Sequence, residues 1–136
     1  MIEMIIAVST NGDNLESAIV DPRFGRCDNF LIVNTKDLSF YVAPNQAKFE
    51  GHGAGISAAQ FVINESVEAI ISGNIGPNAY QTLNAANVKM YVYNGLIINA
   101  IKELQNNSLK QLTQPTRPGS RGFGNRSGMG QGRGRR

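Results

Sequence analysis

The chain has 136 residues, enough for one domain, and its net charge of +3 is unevenly placed. Residues 1–112 hold all ten acidic residues and seven Lys or Arg, a formal −3, whereas residues 113–136 hold six Arg, seven Gly and no acid, a formal +6. A lone cysteine excludes an internal disulfide framework and fits a reducing compartment, no apolar run nears the ~20 residues of a membrane span, and no basic segment leads into an apolar core as in a secretory leader. The expectation is a cytoplasmic protein with no membrane partner.

Met4–Val8 reads as the core of a first strand. Ser9–Cys27 is a long connection rich in Asn, Asp, Gly and Pro, and loops of that length are usually functional. It ends Asp21-Pro22-Arg23-Phe24-Gly25-Arg26-Cys27, where two arginines flank an aromatic–glycine pair before the only thiol. Phe24 has the character of a loop aromatic that plugs a core. Phe30–Val33 and Leu38–Ala43 form a hairpin around a turn at residues 34–37, with Leu38, Phe40 and Val42 expected on the buried face.

Pro44–Gly55 is a second loop, ending Gly51-His52-Gly53-Ala54-Gly55, after which a helix is expected near Ile56 with Ile56, Ala59 and Ile63 on one face. Its glycines do not complete a dinucleotide fingerprint. They fit a generic anion-accepting nest. Val67–Ser72 then reads as a buried strand, Gly73-Asn74-Ile75-Gly76 as a glycine-bracketed turn, and Pro77 as a first helical residue. Ala79, Leu83 and Ala86 make the helical stripe, Asn87 closes it, and Val88–Tyr93 returns as a parallel strand. Ile97, Ala100, Ile101 and Leu104 have the spacing of a helix packed on a sheet. Residues 113–136 have almost nothing to bury and cannot offset roughly 1–2 kcal/mol of backbone entropy per residue, so a disordered cationic tail is expected.

Cys27 and His52 are the only soft or imidazole ligands, too few for a closed zinc site or an all-thiolate iron–sulfur site within one chain. Their bland readings are a small buried hydrophobe and a loop histidine. GxSxG, HExxH and Walker-type signatures are absent, and Asp13, Asp21 and Asp28 read as turn residues rather than a nuclease cluster, so no enzyme is expected. The turns at 23–27, 51–55 and 73–76 would gather at one end of a βαβ sheet, where helix N-termini accept anions. Each N-terminus contributes only ~0.3–1 kcal/mol when exposed, a balance suited to a transferable ligand.

Three ordered elements resemble one family: the DPRFGRC stretch at 21–27 before an apolar strand, Gly53-Ala54-Gly55 opening a helix, and Ile71-Ser72-Gly73-Asn74-Ile75-Gly76-Pro77-Asn78-Ala79 with Val88–Tyr91 after it. The chain from about residue 2 to 112 is similar to the dinitrogenase iron–molybdenum cofactor biosynthesis family, which includes NifX-like proteins and the C-terminal domain of NifB. The resemblance implies a ribonuclease H-like α/β fold without nuclease activity, a five-stranded mixed sheet and about three helices. It also implies binding, carriage or storage of an iron–sulfur or molybdenum-containing metal–sulfur cluster. The expected cluster site comprises Arg23, Arg26, Gly53, Gly55, Gly73, Asn74 and Gly76, with Cys27 and His52 as candidate metal ligands. Domain 1–112 would organise the cluster and tail 113–136 would promote self-assembly. The competing expectation is a nucleic-acid-associated protein binding through the Gly/Arg tail, although residues 1–112 are net acidic and offer no basic face.

Overall fold

The computed structural model describes residues 3–116; the greater part of the expected disordered tail lies outside them. Apolar residues rich in β-branched types form a five-stranded mixed sheet in the order β3-β2-β1-β4-β5. The strands are β1 (Ile5–Thr10), β2 (Asn29–Asn34), β3 (Phe40–Pro44), β4 (Ala69–Ser72) and β5 (Lys89–Val92). β2 runs antiparallel to β1 and β3, while β1, β4 and β5 run parallel. Among the described residues three α-helices, α1 (Ala54–Asn64), α2 (Pro77–Ala85) and α3 (Ile97–Gln105), and a 3-10 turn at Gln46–Phe49 complete the fold.

Alternation along the strands divides the core. Ala7, Phe30, Ile32, Ile70 and Met90 face a cluster with Ala58, Ala59, Val62, Ala79 and Leu83 of α1 and α2. Ile6, Val8, Leu31, Val33, Ala69, Ile71 and Tyr91 face Ile97, Ala100 and Ile101 of α3. The α2 stripe and its closure follow expectation through Ala79 and Leu83, with Asn87 at φ 62°, but Ala86 is exposed at the helix end.

Two expected faces are corrected. Leu38 and Phe40 are 36% and 41% exposed, and Leu38 sits in the turn at φ 63°. β3 is one of the sheet's two edge strands, and only Ala43 is buried along it. In α1 the buried residues are Ala54, Ala58, Ala59 and Val62, while Ile56 is 37% exposed. The small residues face inward because α1 lies close against α2, where a Cβ on Gly55 would meet the Ala79 Cβ at 3.5 Å. The first strand also runs on through Ser9 and Thr10, beyond the expected Val8.

Candidate functional site

The three glycine-bearing turns converge. Pro22–Arg26, Gly53–Ile56, Asn74 and Gly76–Ala79 line one cavity of about 380 Å³ at the N-terminal ends of α1 and α2. Arg23, Arg26, Gly53, Gly55, Asn74 and Gly76 are therefore brought together, whereas Gly73, Cys27 and His52 are not on its wall.

Backbone pairing fixes the first loop to the strand ends. The Asp21 N–H donates to the Ser9 carbonyl at 2.7 Å, and the Gly73 N–H donates to the Asp21 carbonyl at 3.2 Å. Beneath them the buried Ser9 hydroxyl donates to the same Asp21 carbonyl at 2.8 Å and lies 2.9 Å from the Ser72 hydroxyl. Phe24 is buried, its ring 5.3 Å from that of Phe30, so the expected plug is formed. Asn45 ties down the other side of the loop, its Nδ2 donating to the carbonyls of Gly25 at 3.1 Å and Cys27 at 2.9 Å.

Two glycines permit the convergence. A Cβ on Gly73 would lie 2.5 Å from the Pro22 Cα, and a Cβ on Gly25 would lie 2.8 Å from the Gly55 nitrogen. Neither distance is open to a side chain, so Gly73 serves by close approach and not as cavity wall.

Both helix N-termini at the cavity lack a side-chain cap among the described residues, since their N-cap residues are Gly53 and Gly76. The first-turn amides of Ala54, Gly55, Ile56, Asn78 and Ala79 have no intrahelical acceptor. No backbone acceptor elsewhere among the described residues meets them, and these residues all line the cavity. Donors so arranged, with two positive helix ends behind them, suit an anion.

The arginines are more committed than their charge suggests. Arg23 donates from Nε and Nη2 to the Asp21 carboxylate at 3.2 and 3.1 Å, and Asp21 is 4% exposed. The hydrogen bond and charge of Asp21 push the Arg23 pKa further up. Arg26 donates from Nη1 to the carbonyls of Lys48 at 2.8 Å and Glu50 at 2.6 Å, bracing the loop that leads to α1.

Cys27 is fully buried below the loop, its Sγ 3.4 Å from the Phe24 carbonyl. Burial pushes its thiol up to about 12, opposing the thiolate form a metal would need. His52 is exposed in the loop before α1. Among the described residues no cluster of three or more His, Cys, Asp or Glu is placed to hold a metal ion, and no helix is long and apolar enough to cross a membrane.

Asp21, Gly25, Asn45 and Pro77 are parts of this end of the molecule that a search for soft ligands passes over. Only Pro77 and the RFGR glycine carried a local signal. The pairing of Asn45 with a loop 18 to 20 residues earlier is not readable from spacing.

Comparison with known proteins now bears on the site. The family model for the dinitrogenase iron–molybdenum cofactor matches residues 3–107. The apo orange protein of Desulfovibrio gigas superposes with a TM-score of 0.80 at 29% identity, over 84% of this chain and 97% of that one. The NMR structure of a Thermotoga protein described as NifB superposes with a TM-score of 0.72 at 34% identity, over 85% and 99%. An uncharacterised protein of Methanocaldococcus jannaschii is 36% identical over 78 residues, 55% of this chain; the match spans just under two thirds of that relative, 66% of its length.

Proposed function

The chain belongs to the dinitrogenase iron–molybdenum cofactor family, and from that premise we propose that it binds and carries, or stores, an anionic iron–sulfur or molybdenum-containing metal–sulfur cluster as cargo. The observation that carries this reading is the convergence of two uncapped helix N-termini and an arginine-bearing loop on one 380 Å³ cavity. Backbone N–H groups of α1 and α2 would meet the cluster's sulfides or oxo groups, and Arg23 and Arg26 would hold the loop in place. Each such contact is modest, and their sum suits release to an acceptor. This is a binding role and needs no catalytic group.

The buried thiol and the exposed imidazole shape the proposal. Cargo held by amides needs neither Cys27 nor His52; ligation by the buried Cys27 would require the loop to open, whereas the exposed His52 would not. The ribonuclease H-like designation remains an inference from the family resemblance, supported by a mixed sheet in which β2 alone is reversed. Salt-sensitive self-assembly through residues 113–136 also remains part of the proposal, motivated by the six arginines of that segment.

The test is anaerobic loading with iron and sulfide, or with a thiomolybdate, followed by metal and sulfide analysis. Stoichiometric loading that survives gel filtration at low salt and falls as salt rises is the expected result. A protein that takes up neither metal, and instead retains nucleic acid, would overturn the reading.

A further inference from the structure

A second cavity, of about 220 Å³, lies at the end of the sheet opposite the cargo site. Topology puts it there. β1, β4 and β5 run parallel, so the turns that follow β1 and β4 gather at one end, and the residues that begin β1 and β5 at the other. Met4 precedes β1, Lys89 begins β5 and Thr35 follows the reversed β2, so all three stand at that second end. α3 returns along the sheet and brings Leu104, Gln105 and Asn107 to the same place. Lys89 and Tyr91 alternate with Met90 on β5 and so share the α3 face.

The wall is built from the protein's own bonds. The Met4 N–H donates to the Thr35 hydroxyl at 2.9 Å, the Thr35 N–H to the Met4 carbonyl at 2.9 Å, and the Gln105 side-chain amide to the Thr35 carbonyl. Asn107, at φ 59°, turns the chain at the end of α3. Its N–H and that of Ser108 take up the carbonyls of Leu104 and Glu103 at 3.1 and 2.8 Å. The chain then runs along the free edge of β5, where Gln111 bridges Tyr91 and the Leu112 N–H donates to the Met90 carbonyl at 2.7 Å. It reaches the far end of the sheet at Thr116, whose N–H donates to the Ile75 carbonyl at 2.9 Å. Tyr91 is thus fixed between β4 on one side and this strap on the other.

What the wall leaves unspent is mostly donor. Tyr91 is 8% exposed, yet its hydroxyl has no hydrogen-bond partner among the described residues. Lys89 is the one charged residue among those lining the cavity, and among the described residues no carboxylate lies within ion-pair distance of it. A buried hydroxyl without a partner costs free energy, so such a group marks a place where water or a ligand completes the bonding. Burial also pushes the Tyr91 phenol up, which keeps it a donor. Beside these donors Met4 and Leu104 are apolar and pack at the margin of the α3-side core.

We propose that this cavity is a second ligand site, taking a small monocarboxylate with a compact apolar body: the Lys89 ammonium and the Tyr91 hydroxyl donate to the carboxylate, and Met4 and Leu104 cover the body. One negative charge matches the single lysine, and a multiply charged cluster finds no second cation on this wall. A cavity of about 150 Å³ holds benzene, so one ring or a short acyl chain fits the volume. The site is separate from the cargo cavity and stands independently of the carrier reading.

The experiment titrates the isotope-labelled full chain with benzoate, and in parallel with hexanoate, following backbone amide shifts. Saturable shifts at Lys89, Tyr91 and Gln105, and not at Gly55 or Gly76, are the expected result. Benzamide, the same ring without the charge, should bind about fivefold more weakly. Tyr91→Phe and Lys89→Met should each weaken benzoate about tenfold, the size of one lost hydrogen bond to a charged group. Tyr91→Phe removes a hydroxyl that the fold does not use, so its Tm without ligand should not fall. No saturable shift with either acid, equal binding of benzamide, or unchanged benzoate affinity in either variant overturns the proposal and leaves a cavity filled by water alone. A Tyr91→Phe protein that melts lower without ligand overturns it as well, since the hydroxyl would then be spent within the fold.

Discussion

The two faces of the sheet make helices by different rules. On one face α3 packs with Ile97, Ala100 and Ile101 inward, and its first amide, that of Ile97, is spent on the Ala18 carbonyl at 3.0 Å. On the other face α1 and α2 have Gly53 and Gly76 as N-caps with no side-chain cap, and their first-turn amides belong to residues that line one cavity. All three helices lack a side-chain cap, but α1 and α2 present their unmet first-turn amides side by side at one cavity, whereas the first turn of α3 lies outside its lining. Free amide donors lower stability in isolation and become useful when an anion supplies the missing acceptors.

The largest expected effect comes from pushing the loops apart. Gly73→Ala puts a Cβ at 2.5 Å from the Pro22 Cα, against backbone that cannot swing away as a side-chain end would. The cost should be about 1–3 kcal/mol of stability, as for other overpacked sites, and anion affinity should drop more than tenfold because Pro22 and Asn74 move off the cavity wall. The matched change on the opposite face is Ala100→Gly, which should cost about 1 kcal/mol through helix propensity while leaving affinity within twofold. Chemical denaturation and anion titration of both variants decide it. Equal affinity losses would mean that the two faces are not functionally distinct.

That contrast also explains how much the sequence discloses. α3 is legible because its apolar residues recur at i, i+3, i+4 and i+7 against a flat sheet. The strand–turn–Pro77 order likewise discloses α2 and the neighbouring parallel strand. α1 misleads because close packing on α2 wants alanine inward, which leaves Ile56 on the cavity wall where periodicity would bury it. The hairpin face misleads because an edge strand need not bury alternate residues. At the site, the glycine turns announce themselves, but nothing in the spacing says whether Cys27 faces the cavity or the core, where it is buried. The tie between Thr116 and Ile75 joins residues 41 apart, with no periodic signal to mark it.

Cys27 gives the next sharpest division between the faces, since it lies under the open one yet behaves as core. Its thiol has a pKa raised to about 12 by burial, against ~8.5 in an unfolded chain. The folded form therefore holds its proton while the unfolded chain releases it, and the associated stability is present below pH ~8.5 and lost as pH rises towards 12. The loss should approach ~1.4 kcal/mol per pH unit in that window. Cys27→Ala should make the decline between about pH 8.5 and 9.5 shallower, as read by denaturation at each pH, leaving the part that Tyr41 and Tyr91, both also raised in the fold, add as pH nears the ordinary tyrosine value of ~10. Its anion affinity at neutral pH should stay within twofold. A fully folded Cys27→Ala that no longer takes up metal would show instead that the thiolate is a ligand and that the loop opens to expose it.

The smallest effect is the most diagnostic, because stability and binding should move in opposite directions. Asn78 is exposed, lies in the first turn of α2 and lines the cavity. Asn78→Asp puts a negative charge at the positive end of that helix, which on its own should stabilise the fold by about 0.3–1 kcal/mol. The same carboxylate would occupy the position of the cargo and repel it, lowering affinity for a multiply charged anion several-fold at low salt. Raising the salt should shrink both changes as the charges are screened over ~8 Å. A site that merely fills space, or one that binds a cation, would not give this pair of signs: a cation would bind more tightly to the variant. An Asn78→Asp protein that is more stable and also binds thiomolybdate undiminished would place the anion away from α2, and the open helix end would then need another explanation.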